Sequence, residues 1–172
     1  MNILLSTCVL LFSYLFLTAG LAKFRHLAYS AEAIEAYQLT PANWSAALAR
    51  VLAMLEVLLA VFLLIPGSRR FAVPVAALLL MTYALAIGIN LLRGRKRLDC
   101  GCNGPEARQN ISWWLFGRNL LFVALLAVSY QLPLMVDSAT WLLALLCSAA
   151  LILFQQGARL LYQNQMLMSR KR

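Results

Sequence analysis

Charge is scarce in this sequence: 12% of its 172 residues are charged, against 63% that are apolar. A soluble domain of this size with so little polar surface would aggregate, so that class is excluded. Histidine is rarer still. The single residue, His26, supports no nucleophile–histidine arrangement. A structural zinc site, which takes four ligands, would have only Asp99 or the distant His26 to add to Cys100 and Cys102 unless a second chain contributed, and no metal is expected. A basic n-region and a secretory cleavage pattern are also missing. Met1-Asn2 runs directly into an apolar stretch, with Lys23 and Arg25 after it, so the expectation is a retained helix and not a leader peptide. The cysteines number four, with Cys8 and Cys147 inside apolar runs, which excludes a disulfide scaffold. With no repeat or low-complexity tract, one transmembrane domain over 1–172 is expected.

What is present is membrane. Apolar runs of about 20 residues, the length that crosses a bilayer, recur at 3–22, 44–65, 71–92, 113–130 and 141–162. The expected fold is all-α: a polytopic helical bundle of five transmembrane helices with a short interfacial helix. That last helix falls within 29–43, where Ala33, Ile34, Tyr37 and Leu39 recur at helical spacing and Pro41 ends the pattern. Trp44 would anchor the next span at headgroup level. Pro66-Gly67-Ser68-Arg69-Arg70 makes a tight turn, so spans two and three form an antiparallel hairpin. Pro74 falls in the first turn of span three, where it is tolerated. Ala84 and Gly88 give that span a small-xxx-small packing face.

The formal charge of +9 does not indicate nucleic acid, because the basic residues flank spans instead of forming a soluble face with aromatics. They read as topology determinants. Segments after spans one, three and five carry eleven cations, from Lys23 to Arg172, and the opposite side has Arg69 and Arg70. The positive-inside rule then places the N-terminus outside, and the loop at 93–112 and the C-terminus in the cytoplasm, of a multi-pass membrane protein whose partner is lipid.

That loop holds Asp99-Cys100-Gly101-Cys102-Asn103-Gly104. Two thiols one residue apart meet only if the chain turns sharply, which Gly101 permits, and so small a ring is strained and exchange-prone. Arg93, Arg95, Lys96 and Arg97 favour a thiolate, and adjacent Asp99 opposes it. Redox exchange therefore stands beside a loop-bracing disulfide, two unrelated thiols, and half of a metal site. The sequons Asn43-Trp44-Ser45 and Asn110-Ile111-Ser112 lie on the inner side, and Asn110 or Ser112 is expected to cap span four.

Glu56 sits near mid-bilayer, where a lone carboxylate is costly. Arg118 and Arg50 enter from the inner side, and Arg118 is the expected partner, as a register-fixing ion pair or as part of a proton or quinone site. Cys8 and Cys147 fall at similar depth and could form a second thiol pair, against the reading that both are inert packing residues.

Ala19-Gly20-Leu21-Ala22-Lys23, Tyr37-x-Leu39-x-Pro41, Glu56, Asp99-Cys100-Gly101-Cys102-x-Gly104 and Arg118-Asn119 together resemble the methylamine utilisation protein MauE family, among the DoxX-like membrane bundles. Asn103 departs from it, where the family pattern has phenylalanine. The resemblance implies a four-helix DoxX-like core plus a C-terminal helix. It also implies a role in maturing the disulfide-rich small (beta) subunit of periplasmic methylamine dehydrogenase, beside a thioredoxin-like partner. Cys100 and Cys102 would be the reacting pair, with Gly101, Asp99, Gly104, Glu56, Arg118 and Asn119 in support. Other readings are a non-catalytic assembly factor, and a subunit of a quinone-linked oxidoreductase with quinone as its cofactor. A periplasmic client and a cytoplasmic cysteine loop would require electrons to cross the membrane.

Overall fold

The structure is a computed structural model, and it describes residues 2–101, 104–105 and 109–131. The chain divides into two compact units, one of them Phe12–Pro133, to which the following description applies. Five helices are described: α1 (Asn2–Arg25), α2 (Leu27–Tyr37), α3 (Ser45–Leu64), α4 (Arg69–Leu92) and α5 (Trp113–Gln131). All except α2 are long and apolar enough to cross a membrane. The 20 residues of α3, for example, rise about 30 Å, the thickness of a hydrocarbon core. These four match the first four apolar runs of the sequence, and the fifth run, 141–162, lies outside the described residues.

Small residues let the helices close on one another. A Cβ added to Gly20 of α1 would stand 2.8 Å from Val57 Cγ2 and 3.0 Å from the Ala53 carbonyl of α3, so α1 and α3 meet nearly backbone to backbone. Ser13 Oγ adds a hydrogen bond to the Ala60 carbonyl at 2.7 Å. Ala84 and Gly88 of α4 are both buried, and a Cβ on Gly88 would come within 3.0 Å of the Phe116 ring of α5. The small-residue face is a packing face. Phe12 and Phe122 close α1 on α5, edge to face at 5.4 Å.

The ends are closed locally. A single 3₁₀ turn, Pro66–Ser68, joins α3 to α4. There Ser68 Oγ donates to the Phe62 and Ile65 carbonyls and Arg69 Nε to that of Leu63. These bonds satisfy carbonyls that the end of a helix leaves without amides. Pro74 proves to be the sixth residue of α4, because the helix begins at Arg69; its ring leaves the Arg70 carbonyl without the usual amide. At the other end of α4, Gly94 is left-handed (φ 75°). Its amide and that of Arg95 return to the Leu91 and Asn90 carbonyls at 3.0 Å, the Schellman arrangement. Ser112 Oγ accepts the Leu115 amide at 3.3 Å and caps α5.

The interfacial helix is shorter than its periodic pattern. It stops at Tyr37 because Gln38 turns left-handed (φ 51°) and donates its amide to the Glu35 carbonyl, before Pro41 is reached. Trp44, Trp113 and Trp114 are exposed at the starts of α3 and α5, the level at which tryptophan meets headgroups. Chain direction puts α2 and the loop after α4 at one end of the bundle, opposite the 3₁₀ turn at Pro66–Ser68.

Candidate functional site

The cysteine loop is pinched into a short antiparallel pairing. Cys100 donates its amide to the Gln109 carbonyl at 2.9 Å, Ile111 donates to Leu98 at 2.9 Å, and Asp99 faces Asn110 between them. Asp99 organises this turn: one carboxylate oxygen accepts the Gly101 amide at 2.7 Å and the other the Gln109 amide at 3.0 Å. A carboxylate bonding the amide two residues on is a standard way to fix a turn. Gly101 and Gly104 are both left-handed, φ 71° and 73°, where a side chain is strained.

Both glycines also face α2. A Cβ on Gly101 would lie 3.0 Å from Ala33 Cβ, and one on Gly104 would lie 3.2 Å from His26 Cδ2. Seven residues separate His26 from Ala33, about 10 Å along a helix, so the loop lies lengthwise on α2. At the far end of that helix, burial and then the nearby Asp99 carboxylate push the Tyr37 phenol above its ordinary range. Beneath the loop, Ile87 and Leu91 of α4 pack with Ile111 and Leu115, and Tyr37, Leu98, Cys100 and Phe116 cover them.

Cys100 is half-buried and disulfide-bonded. Cys102, Asn103 and Arg108 lie outside the described residues, as does Cys147. Cys8 is a free thiol. Of the basic residues beside the pair, Arg95 Nη1 donates to Asn90 Oδ1 at 3.3 Å, and Arg93, Lys96 and Arg97 are exposed.

Within the bundle, Glu56 is 1% exposed. Its partner is not Arg118. Lys23 Nζ lies 2.7 Å from each Glu56 oxygen, and the Tyr83 hydroxyl donates to Oε1 at 2.7 Å. The ammonium also stands 5.5 Å from the centre of the Tyr83 ring. The reason is geometric. Helical side chains lean toward their own N-terminus, so Lys23, near the end of α1, reaches back into the bilayer, and Glu56 leans toward the end of α3 from which Lys23 comes. Gly20, one turn earlier on α1, brings the two helices close enough for the ion pair. Arg118 instead places its guanidinium 5.8 Å from the Phe122 ring, one turn along its own helix. Asn119, also expected at the site, turns its amide onto the Leu115 carbonyl at 2.9 Å.

The site thus has two parts: a loop held on α2, and an ion pair with a tyrosine joining α1, α3 and α4. Lys23 and His26, a turn apart, connect them, and Tyr83, Ala33 and Tyr37 join residues singled out from sequence. The signal for Lys23 was available. A mid-bilayer carboxylate demands a cation, and the stem of a lysine three residues past Gly20 can reach it.

A family model described as Methylamine utilisation protein MauE matches residues 1–132. The chain is 38% identical over 136 residues to a Methylamine utilization protein MauE of Paracoccus denitrificans, covering 76% of this chain and 73% of that protein. A protein of the same name from Methylorubrum extorquens is 33% identical over 147 residues, 84% of this chain and 79% of the relative. That of Paracoccus versutus is 36% identical over 111 residues, 64% and 60% respectively. No solved structure matches.

Proposed function

This chain belongs to the methylamine utilisation protein MauE family, and from that premise we propose that it is a membrane thiol–disulfide exchange protein. Its client is the disulfide-rich small subunit of periplasmic methylamine dehydrogenase or a similar protein. The observation that carries this reading is the Cys100 disulfide, presented on a loop that one carboxylate pins internally and whose glycines lie against α2 and the residue before it. Cys102 is the proposed second sulfur.

In the proposed cycle a thiolate of a dithiol protein attacks one sulfur of the bridge. The S–S bond breaks, the other sulfur leaves as a thiolate, and a mixed disulfide joins the two proteins. The attacking protein's second thiolate then displaces this chain, so that protein gains a disulfide and Cys100 and Cys102 hold the two electrons as thiols. An oxidised thioredoxin-like partner takes those electrons by the same exchange in reverse and restores the bridge. Asp99 and the glycines keep the turn in place through both states. The Lys23–Glu56–Tyr83 cluster is the positioning element that fixes the end of α1, from which His26 and α2 continue.

The flanking cations favour a cytoplasmic loop and C-terminus in a bacterial inner membrane; both thiol proteins of the cycle then act on that face, and exchange with the periplasmic client requires electrons to cross the bilayer. An impermeant thiol reagent tests this after reduction: Cys100 stays unlabelled in intact cells and reacts in opened ones. Labelling in intact cells would place the loop outside. Trapping tests the chemistry. Either Cys100→Ser or Cys102→Ser accumulates a mixed disulfide with a thioredoxin-like protein, and absence of any adduct from both variants counts against exchange.

The assembly-factor reading has one observation in its favour, since the loop is docked by contacts that need no redox change. It expects client maturation to survive replacement of both cysteines. The quinone reading has Glu56 and Arg118 lining a pocket between spans two and four; Glu56 is bonded to Lys23 and Tyr83, and quinone bound to the purified protein and lost in Glu56→Gln would favour that reading.

A further inference from the structure

The cations beside the cysteine pair form a group of their own at the end of α4. After α4 the Schellman turn reverses the chain at Gly94, so Arg93, Lys96 and Arg97 crowd onto the end of that helix, all exposed. Arg95 is not part of the group, because it bonds Asn90. Among the described residues no carboxylate pairs with the three; Asp99, the nearest in sequence, has both oxygens on backbone amides.

The backbone register places tryptophan next to this cluster. Because Ile111 donates to the Leu98 carbonyl, Arg97 falls opposite Ser112, and Trp113 and Trp114 follow directly. Trp113 is fixed edge to face on Phe116 at 5.7 Å, and Phe116 lies on Gly88 of α4. Trp114 is 77% exposed, and Leu92, the last residue of α4, is 79% exposed. Three exposed cations thus fall, in sequence and in register, next to two exposed indoles and an apolar helix end.

We propose that Arg93, Lys96, Arg97, Trp113 and Trp114 form a binding site for an anionic phospholipid. The phosphate-bearing headgroup would lie among the three cations, its glycerol level beside the indoles, and an acyl chain along Leu92. Clustered cations at a membrane helix end attract anionic lipid, each adding about a fivefold preference, and tryptophan settles at the headgroup boundary. A soluble acidic peptide could meet the cations but would have no use for the apolar end of α4. The bound lipid fixes the depth at which the adjoining cysteine loop is presented. The site stands on its own, whether or not the loop performs redox exchange.

Quenching by brominated lipid tests this. The full chain, with Trp44→Phe and Trp141→Phe so that Trp113 and Trp114 report, is reconstituted in vesicles of phosphatidylcholine. Dibrominated phosphatidylglycerol or dibrominated phosphatidylcholine is then added at equal mole fraction. The anionic probe should quench at a mole fraction many-fold lower than the neutral one. The preference should fall about fivefold for each of Arg93→Gln, Lys96→Gln and Arg97→Gln. It should persist in Arg93→Lys/Arg97→Lys, and in the presence of millimolar inorganic phosphate. Quenching by the neutral probe reports whether each variant is folded and inserted, and it should not change. Equal quenching by the two lipids in the parent overturns the proposal, as does a preference that survives removal of all three cations. Loss of the preference to inorganic phosphate would show an anion site with no lipid selectivity and would also overturn it.

Discussion

The Lys23–Glu56–Tyr83 cluster and the cysteine loop both connect the end of α1 to the rest of the bundle, and they do so by different physics. In the cluster, two opposite charges and a phenol share a dry interior, and each is costly without the others. The loop is held at the surface by backbone hydrogen bonds, one carboxylate and two close glycine contacts, any one of which can yield alone. The exchange proposed for the loop needs a support that can yield locally, and the positioning role proposed for the cluster needs one that cannot. Five changes would break or sharpen that contrast.

The largest effect belongs to the interior. Glu56→Leu leaves the Lys23 ammonium buried without its counter-charge and should destabilise the protein by about 3–5 kcal/mol. The paired change Lys23→Met/Glu56→Leu should recover most of that loss. Thermal unfolding in detergent, read by loss of helical signal, measures both. Additive effects of the two single changes would mean that the pair is not coupled.

Asp99→Ala comes next. It removes the acceptor of two amides, each bond to a charged group contributing about 1.5–3 kcal/mol, but the loss should stay in the loop. The labelling rate of reduced Cys100 should rise several-fold with the bundle's melting temperature nearly unchanged. Gly101→Ala should act in the same direction with a smaller effect, about 1–2 kcal/mol for a left-handed alanine, plus its contact with Ala33. If either change lowers the bundle's melting temperature as much as Glu56→Leu does, the two regions are not separable.

The smallest effect is in alkali. Burial and Asp99 raise the Tyr37 pKa above that of the unfolded chain, so above about pH 10 the unfolded state releases a proton that the folded state keeps. Stability is therefore full below that pH and falls as pH rises further. Asp99→Asn should make the fall shallower, which pH-dependent unfolding of the parent and variant would show.

The sequence was legible where one physical requirement dominates. Spans of bilayer length, the hairpin turn, the Ala84–Gly88 face and the Ser112 cap follow from apolar run length, turn residues and side-chain size, each local to the chain. Partners across the bundle were harder to read. Lys23 reads as a topology signal because lysines near membrane ends usually snorkel outward. Only its place on α1, leaning into the bilayer beside Gly20, makes it the partner of Glu56. Arg69 likewise reads as an exterior charge, yet it is buried and closes the end of α3. Asp99 reads by its charge beside a thiol, while its backbone bonds depend on a turn that the sequence does not display.

The central claim is that Cys100 and Cys102 react, and client maturation tests it most directly. In cells making a disulfide-rich periplasmic client, the disulfides formed in that client are counted by mass after alkylation, with the parent, Cys100→Ser, Cys102→Ser or the double variant present at equal membrane levels. Exchange predicts that all three variants, like deletion of the protein, leave client thiols unpaired. A client fully bridged in the presence of the double variant would contradict it.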